Sequence, residues 1–355
     1  MNCEMNAMKQ KFYLVLIALV ALSSCKGGFG PVPEATGAFH LTTVGQLEDP
    51  SYVDQIEAFF DQGSEGTFTG EAGVPIYYKT FIQPDSVSAA ILISSGRTEA
   101  AIKYKEVIFD LYSNGYSVYI HDHRGQGLSG RMAPDPEMGY VDSFQFYVDD
   151  MKSFYDLCLK PNHHASVYLL AHSMGGAIGM TYLEQQPDDF NAAAFSSPML
   201  GLDFYVCPLA RILPKKSPAY GPGQSGYSSE DDLFEGNEVT GSELRFNRSA
   251  EAFGRVPQAR LGGASLQWVF QSCQQFKYLF EHIGEIETPF LLFSAENEQI
   301  VNPGAHLKFV DRAQGLGKEC QGYSVADAQH ELLIEKDNQR QAVLEATLSY
   351  FSRYQ

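Results

Sequence analysis

Short, almost uninterrupted apolar runs recur along the chain, and most are followed by a segment of helical spacing. Ser88 to Ser94 (SAAILIS), Tyr116 to Ile120, Val167 to Ala171, Asn191 to Ser197 (NAAAFSS) and Thr288 to Ser294 (TPFLLFS) have no polar face. Runs of this kind are expected of parallel strands buried on both sides. Val74 to Ile82 alternates as a strand with one wetter face would, and Glu319 to Val325 supplies a last strand. Between them, Ile102 to Tyr112 carries apolar residues at helical spacing and stops at Asn114-Gly115. Val141 to Leu159, Pro303 to Ala313 and Asp337 to Tyr354 read as further helices. This alternation predicts an α/β fold, a mostly parallel central sheet with helices on both faces.

One stretch breaks the rhythm. Between Pro198 and Glu287 the pattern gives way to Pro, Gly and Ser clusters, an acidic patch (Glu230 to Glu235) and an aromatic-rich helical segment (Leu266 to Ile283). Residues 199–287 are expected to form a helical cap inserted over the carboxyl edge of the sheet, where open α/β folds bind ligands. The core is then divided into 38–198 and 288–355.

The first residues belong to neither part. Lys9 and Lys11 precede an apolar run from Phe12 to Leu22, shorter than the ~20 residues of a comfortable membrane span. A basic start, a short apolar core and small residues after it describe an export signal over 1–24. Leu22-Ser23-Ser24-Cys25 resembles the lipobox of bacterial lipoproteins, which implies lipidation at Cys25 and attachment to a membrane of the bacterial cell envelope. The Gly- and Pro-rich residues 25–37 are expected to be a flexible tether. Export also makes a disulfide between Cys207 and Cys273, both in the insertion, chemically possible.

Charge excludes one class of partner. The 355-residue chain carries a formal net charge of -18, so nucleic acid would be repelled. None of the six cysteines forms a C-x-x-C pair, and the chemistry below calls for no cofactor or metal.

That chemistry centres on Ser166 to Met180 (SVYLLAHSMGGAIGM). An apolar run ends at His172-Ser173, and small residues follow at once. This is the pattern of a buried strand, a sharp turn and a closely packed helix, which exposes a serine nucleophile above helix amides. A serine hydroxyl needs a base, and the base needs an orienting acid. Downstream of Ser173 only His282, His306 and His330 are available. His282 lies in the insertion and His306 in an expected surface helix. His330 follows the last strand, directly before the closing helix, where a base could reach the sheet's carboxyl edge. For the acid, Glu296 and Glu298 follow the Thr288 to Ser294 strand, and Asp203 follows the strand ending at Ser197. All three stay open on position alone. His172, adjoining the nucleophile, is expected to point away and pack.

Five segments read together resemble the α/β-hydrolase superfamily, and more narrowly the bacterial lysophospholipases related to monoacylglycerol lipases. They are SSGR (Ser94 to Arg97), DHRGQGLSGR (Asp122 to Arg131), AHSMGGAIG (Ala171 to Gly179), AENEQIV (Ala295 to Val301) and QHELLIEKD (Gln329 to Asp337). The resemblance implies Ser173 as nucleophile, His330 as base and Glu298 as acid, where the monoacylglycerol lipases usually carry aspartate. It implies an oxyanion hole of the Met174 and Arg97 N–H groups, a supporting role for Asp122, His123 and Arg124, and a lysophospholipid or monoacylglycerol as substrate. A second departure is Ala171 at the first position of the G-x-S-x-G turn. Two other functions fit the same residues: hydrolysis of a non-lipid ester or thioester, and a non-catalytic lipid-binding lipoprotein.

Overall fold

The structure, a computed structural model, describes residues 29–84, 88–213 and 218–355. The expected export signal and Cys25 lie outside the described residues. Among the described residues nine strands form one sheet: β1 (Gly30–Pro31), β2 (Ser64–Thr69), β3 (Pro75–Phe81), β4 (Ala90–Ser94), β5 (Ser117–His121), β6 (Val167–His172), β7 (Ala192–Ser196), β8 (Phe290–Ala295) and β9 (Cys320–Val325). Their order is β1-β9-β8-β7-β6-β4-β5-β3-β2. Only β2–β3 and β3–β5 pair antiparallel; the other pairs are parallel. Every residue of β4, β5, β7 and β8 is buried, which is why these runs show no polar alternation.

The α-helices of seven or more residues among the described residues are α1 (Pro50–Asp61), α2 (Lys105–Ser113), α3 (Gln145–Phe154), α4 (Met174–Gln185), α5 (Val206–Ile212), α6 (Glu243–Arg255), α7 (Leu266–His282), α8 (Pro303–Gly315) and α9 (Asp337–Phe351). Two apolar clusters form, one on each face of the sheet. Residues of α3, α4, α7 and α8 build the first, and those of α2 and α9 the second. No helix among the described residues is long and apolar enough to cross a membrane.

Two expectations need correction. Residues 29–37 lie docked along the body, so this part of the expected tether is not free. β1 pairs with β9, and the Thr36 and Gly37 N–H groups donate to the Glu345 carboxylate at 2.7 and 3.0 Å. His306 is fully buried, not on a surface helix face: Ser294 Oγ lies 2.8 Å from its Nδ1, and its Nε2 donates to the Pro198 carbonyl at 2.7 Å.

The insertion contains α5, α6 and α7, and it is bound to the core in depth. Trp268, Cys273, Phe276 and Leu279 of α7 are buried in the first cluster with Ala177 and Ile178 of α4. A disulfide joins Cys207 of α5 to Cys273 of α7. On the other side, the Arg245 guanidinium of α6 is buried against Glu106 of α2 and Asp337 of α9. Arg340, fully buried beside it, bonds Asp110 at 2.7 Å. Removing one partner from such a pair leaves a buried uncompensated charge, so this network fixes how cap and core meet.

The start of α4 is set by size. A Cβ on Gly175 would lie 2.2 Å from the Ser94 carbonyl oxygen and 2.4 Å from that of Ser95. The helix can therefore sit against the end of β4 only without a side chain there. We expect Gly175→Ala to destabilise the protein by about 3 kcal/mol in urea unfolding, the upper range for overpacking. A loss under about 1 kcal/mol would mean the helix does not need this approach.

Candidate active site

The carboxyl ends of the parallel strands converge on Ser173. Its φ of 50° and ψ of -118° place it outside the regions a side chain ordinarily adopts. Four of the six non-glycine residues with positive φ among the described residues lie in the loops that follow strands: Thr98, Ser173, Ser197 and Asp327. Backbone strain is concentrated where the functional side chains are presented. At the turn, Ala171 is tolerated because Gly179 faces it; even a Cβ on Gly179 would stop 3.4 Å from the Ala171 methyl.

Ser173, His330 and Glu298 form one hydrogen-bonded chain. Glu298 can only accept, so His330 Nδ1–H donates to it, at 2.9 and 2.8 Å from its two oxygens. His330 Nε2 is then left to accept from the Ser173 hydroxyl at 2.9 Å. The Ile300 and Val301 N–H groups also donate to Glu298, at 2.9 and 3.2 Å. Burial raises the Glu298 pKa, but His330 and these two amides more than offset it and hold the carboxyl down at about 2. The extra methylene of glutamate is thus taken up by a loop that grips the carboxylate. Neither alternative acid takes this position: Glu296 accepts from the Asp327 N–H, and Asp203 is exposed.

A second set of contacts shapes the loop after β4. Gly96 N–H donates to Glu99, and Gln126 Nε2 donates to the carbonyls of Gly96 and Glu99 at 2.7 and 2.8 Å. With Gly96 N–H occupied, the next amide, Arg97 N–H, has no protein acceptor among the described residues. Met174 opens α4, so its N–H is one of the helix's orphan donors. These are the two donors the resemblance implies; Met174 directly follows Ser173, and Arg97 lines the same cavity as Ser173.

Beneath the loop, Lys103 donates to Glu99 at 2.7 Å and to Glu331 at 2.6 Å. Tyr104 also donates to Glu99, at 2.6 Å. Glu99, His172 and Glu331 converge closely enough to resemble a metal-ligand set, but the Lys103 ammonium is already bound to both carboxylates. His172 is buried as expected, with Nδ1 donating to the Ser196 carbonyl at 3.0 Å. Its ring nevertheless lies 4.8 Å from that of His330, a proximity its sequence position did not suggest. Burial is the main cause that lowers its pKa to about 4, with Glu99 acting the other way. His172 is thus neutral at pH 7 and places no second cation beside His330.

The DHR segment supports these loops from behind. Asp122 accepts from the Ala101 and Leu128 N–H groups at 2.7 Å each. His123 Nε2 lies 3.2 Å from Ser94 Oγ, and Arg124 bonds Asp150 through two nitrogens, at 2.6 and 2.8 Å. None of the three touches Ser173.

A cavity of about 620 Å³ opens above the serine. Ser173, His330 and Arg97 line it, with Met199, Leu209 and Trp268 among its apolar walls.

Residues 85–337 match the family described as serine aminopeptidase, S33. The chain belongs to that family. Lysophospholipase L2 of Escherichia coli strain K12 is 32% identical over 326 residues, which cover 89% of this chain and 93% of the relative. The probable lysophospholipase L2 of Haemophilus influenzae is 33% identical over 296 residues, covering 81% and 92%. A soluble variant of monoglyceride lipase from Saccharomyces cerevisiae, solved with a substrate analogue, superposes with a TM-score of 0.64. It is 20% identical, over 82% of this chain and 94% of that one. At that identity the likeness speaks for the α/β-hydrolase fold, which the sheet order of this chain also has.

Proposed function

We propose that the protein is a serine carboxylic-ester hydrolase that releases a fatty acid from a single-chain lipid ester, with a lysophospholipid as the preferred substrate. The observation that carries this reading is the Ser173–His330–Glu298 chain at the floor of a largely apolar cavity. Similarity to lysophospholipases along most of the chain supports the choice of lipid.

In this reading Ser173 Oγ attacks the ester carbonyl while His330 Nε2 takes its proton. Glu298 holds the imidazole in the tautomer that can accept and stabilises the imidazolium that forms. The Met174 and Arg97 N–H groups receive the oxyanion, each such donor contributing about 3 kcal/mol in comparable sites. His330 returns the proton to the leaving glyceryl oxygen, and the acyl group remains on Ser173. Water, deprotonated by the same imidazole, then releases the fatty acid and restores the serine. Cys25 would carry the lipid anchor of an exported protein in the bacterial cell envelope, and the Cys207–Cys273 pair suits an oxidising compartment.

A substrate panel tests the reading. Lysophosphatidylcholine, monoacylglycerol and short nitrophenyl esters should all be hydrolysed, with the long single-chain lipids favoured in kcat/KM. Preference for the short esters would move the assignment to a general esterase. Binding of lysophospholipid without turnover of any ester would make the protein a lipid-binding relative.

A further inference from the structure

Arg97 is placed in the proposed mechanism by its backbone alone, yet its side chain is the more unusual feature. Among the described residues that line the cavity it is the only Arg or Lys. It forms no ion pair with any described carboxylate, whereas both acids lining the cavity, Glu99 and Glu331, are bound to Lys103. What surrounds the guanidinium is neutral. Nη2 donates to the Gly262 carbonyl at 2.5 Å, and the cation lies 5.3 Å from the centre of the Trp268 ring. Nε is shut off from solvent without any hydrogen-bond partner.

The position is held open for it. Residues 137–139 and the cap segment 262–265 bond each other, with Gly262 N–H donating to Glu137 O at 2.7 Å and Gly139 N–H donating to Gly263 O at 2.9 Å. A Cβ on Gly139 would come 2.7 Å from Arg97 Nη2. Burial pulls the guanidinium pKa down to about 10, with no carboxylate to restore it; the group remains cationic at neutral pH. A desolvated cation without a carboxylate partner, carried by a residue that lines a binding cavity, is a site short of an anion.

Covalent lengths match one such anion, the phosphodiester of a lysophospholipid. From Arg97 N to its Cζ the path has as many bonds as the path from the carbonyl carbon to the phosphorus in a 1-acyl lysophospholipid. A substrate whose oxyanion rests on the Arg97 N–H can therefore lie along the side chain and bring its phosphate to the guanidinium. Planar guanidinium and phosphate oxygens match in hydrogen-bond geometry. A monoacylglycerol offers only hydroxyls at that distance.

We propose that the Arg97 side chain is the specificity determinant of the site, binding the phosphodiester of the leaving group and so selecting lysophospholipids over monoacylglycerols. This rests on the ester-hydrolase reading above.

The test is a ratio. kcat/KM would be measured for 1-palmitoyl lysophosphatidylcholine and for 1-palmitoylglycerol in the same detergent micelles. Arg97→Gln keeps the backbone amide and removes the charge. It should lower the ratio of lysophospholipid to monoacylglycerol kcat/KM by about 10- to 100-fold, the range of one charged hydrogen bond, and Arg97→Lys should recover part of it. Gly139→Ala, which crowds the guanidinium without deleting it, should shift the ratio the same way and serves if Arg97→Gln does not fold. An equal loss on both substrates would show that Arg97 only braces the cap, and a Lys variant no better than Gln would also overturn the proposal. Wild-type protein inactive on both lipids would instead refute the lipid-ester-hydrolase reading itself.

Discussion

Ser173→Ala will lower kcat on any ester the protein hydrolyses by about 10⁴-fold or more, and it will abolish labelling by a fluorophosphonate. The size follows from the role: without Oγ no acyl-enzyme forms, and only binding and the oxyanion donors are left to assist water. The same substitution should leave the fold almost untouched. Although Ser173 stands at the N-cap of α4, its side chain does not cap the helix. Its hydroxyl instead bonds His330 Nε2 at 2.9 Å. Thermal unfolding should therefore place the variant close to wild type, which separates lost chemistry from lost structure. Activity above about one-hundredth of wild type, in a preparation free of contaminating esterase, would remove Ser173 from the mechanism.

The pairing of Ser173 with His330 was legible because two independent patterns pointed to it. The strand-turn-helix signature is local, and only one downstream histidine follows the last strand. The acid was less legible, since Glu296 and Glu298 share one loop. What separates them is that the loop folds back so that the Ile300 and Val301 amides grip Glu298. Such a contact leaves no periodic trace. The same limit explains other misses. β2 (SEGTFT) is largely exposed and lacks an apolar face to announce it. Lys103 sits four residues from Glu99, an ordinary helical spacing, but its second partner, Glu331, is 228 residues away. The buried Arg245 and Arg340 look like solvated charges in sequence because their partners lie on α2 and α9, far along the chain. Periodicity reports which face of an element is buried. It does not report which buried polar groups will find each other.

Glu298→Gln should lower kcat by about 10⁴-fold, the cost of an orienting acid replaced by its amide. The carboxylate accepts from three donors at once: His330 Nδ1–H and the N–H groups of Ile300 and Val301. An amide has one accepting end. If its oxygen faces the two backbone donors, its NH₂ confronts His330 Nδ1, and the imidazole turns to the tautomer that carries its proton on Nε2. That ring can no longer accept from Ser173. If the oxygen faces His330, the backbone donors meet another donor and the loop loosens. Glu298→Asp keeps the charge but is a methylene short of this reach, so it should retain more activity than the amide. Stability should follow pH with a definite sign. Burial raises the Glu298 pKa, but His330 and the two amides outweigh it and hold the group at about 2, below its ordinary 4.5. Its ionised form therefore stabilises the folded state above about pH 4.5, and that contribution is lost as pH falls through about 2. The stability gap between wild type and Glu298→Gln, measured by urea unfolding across pH, should be constant near neutrality and close on the acid side. A gap independent of pH down to 2, or near-normal turnover in the Gln variant, would show that the carboxylate charge is not what holds His330.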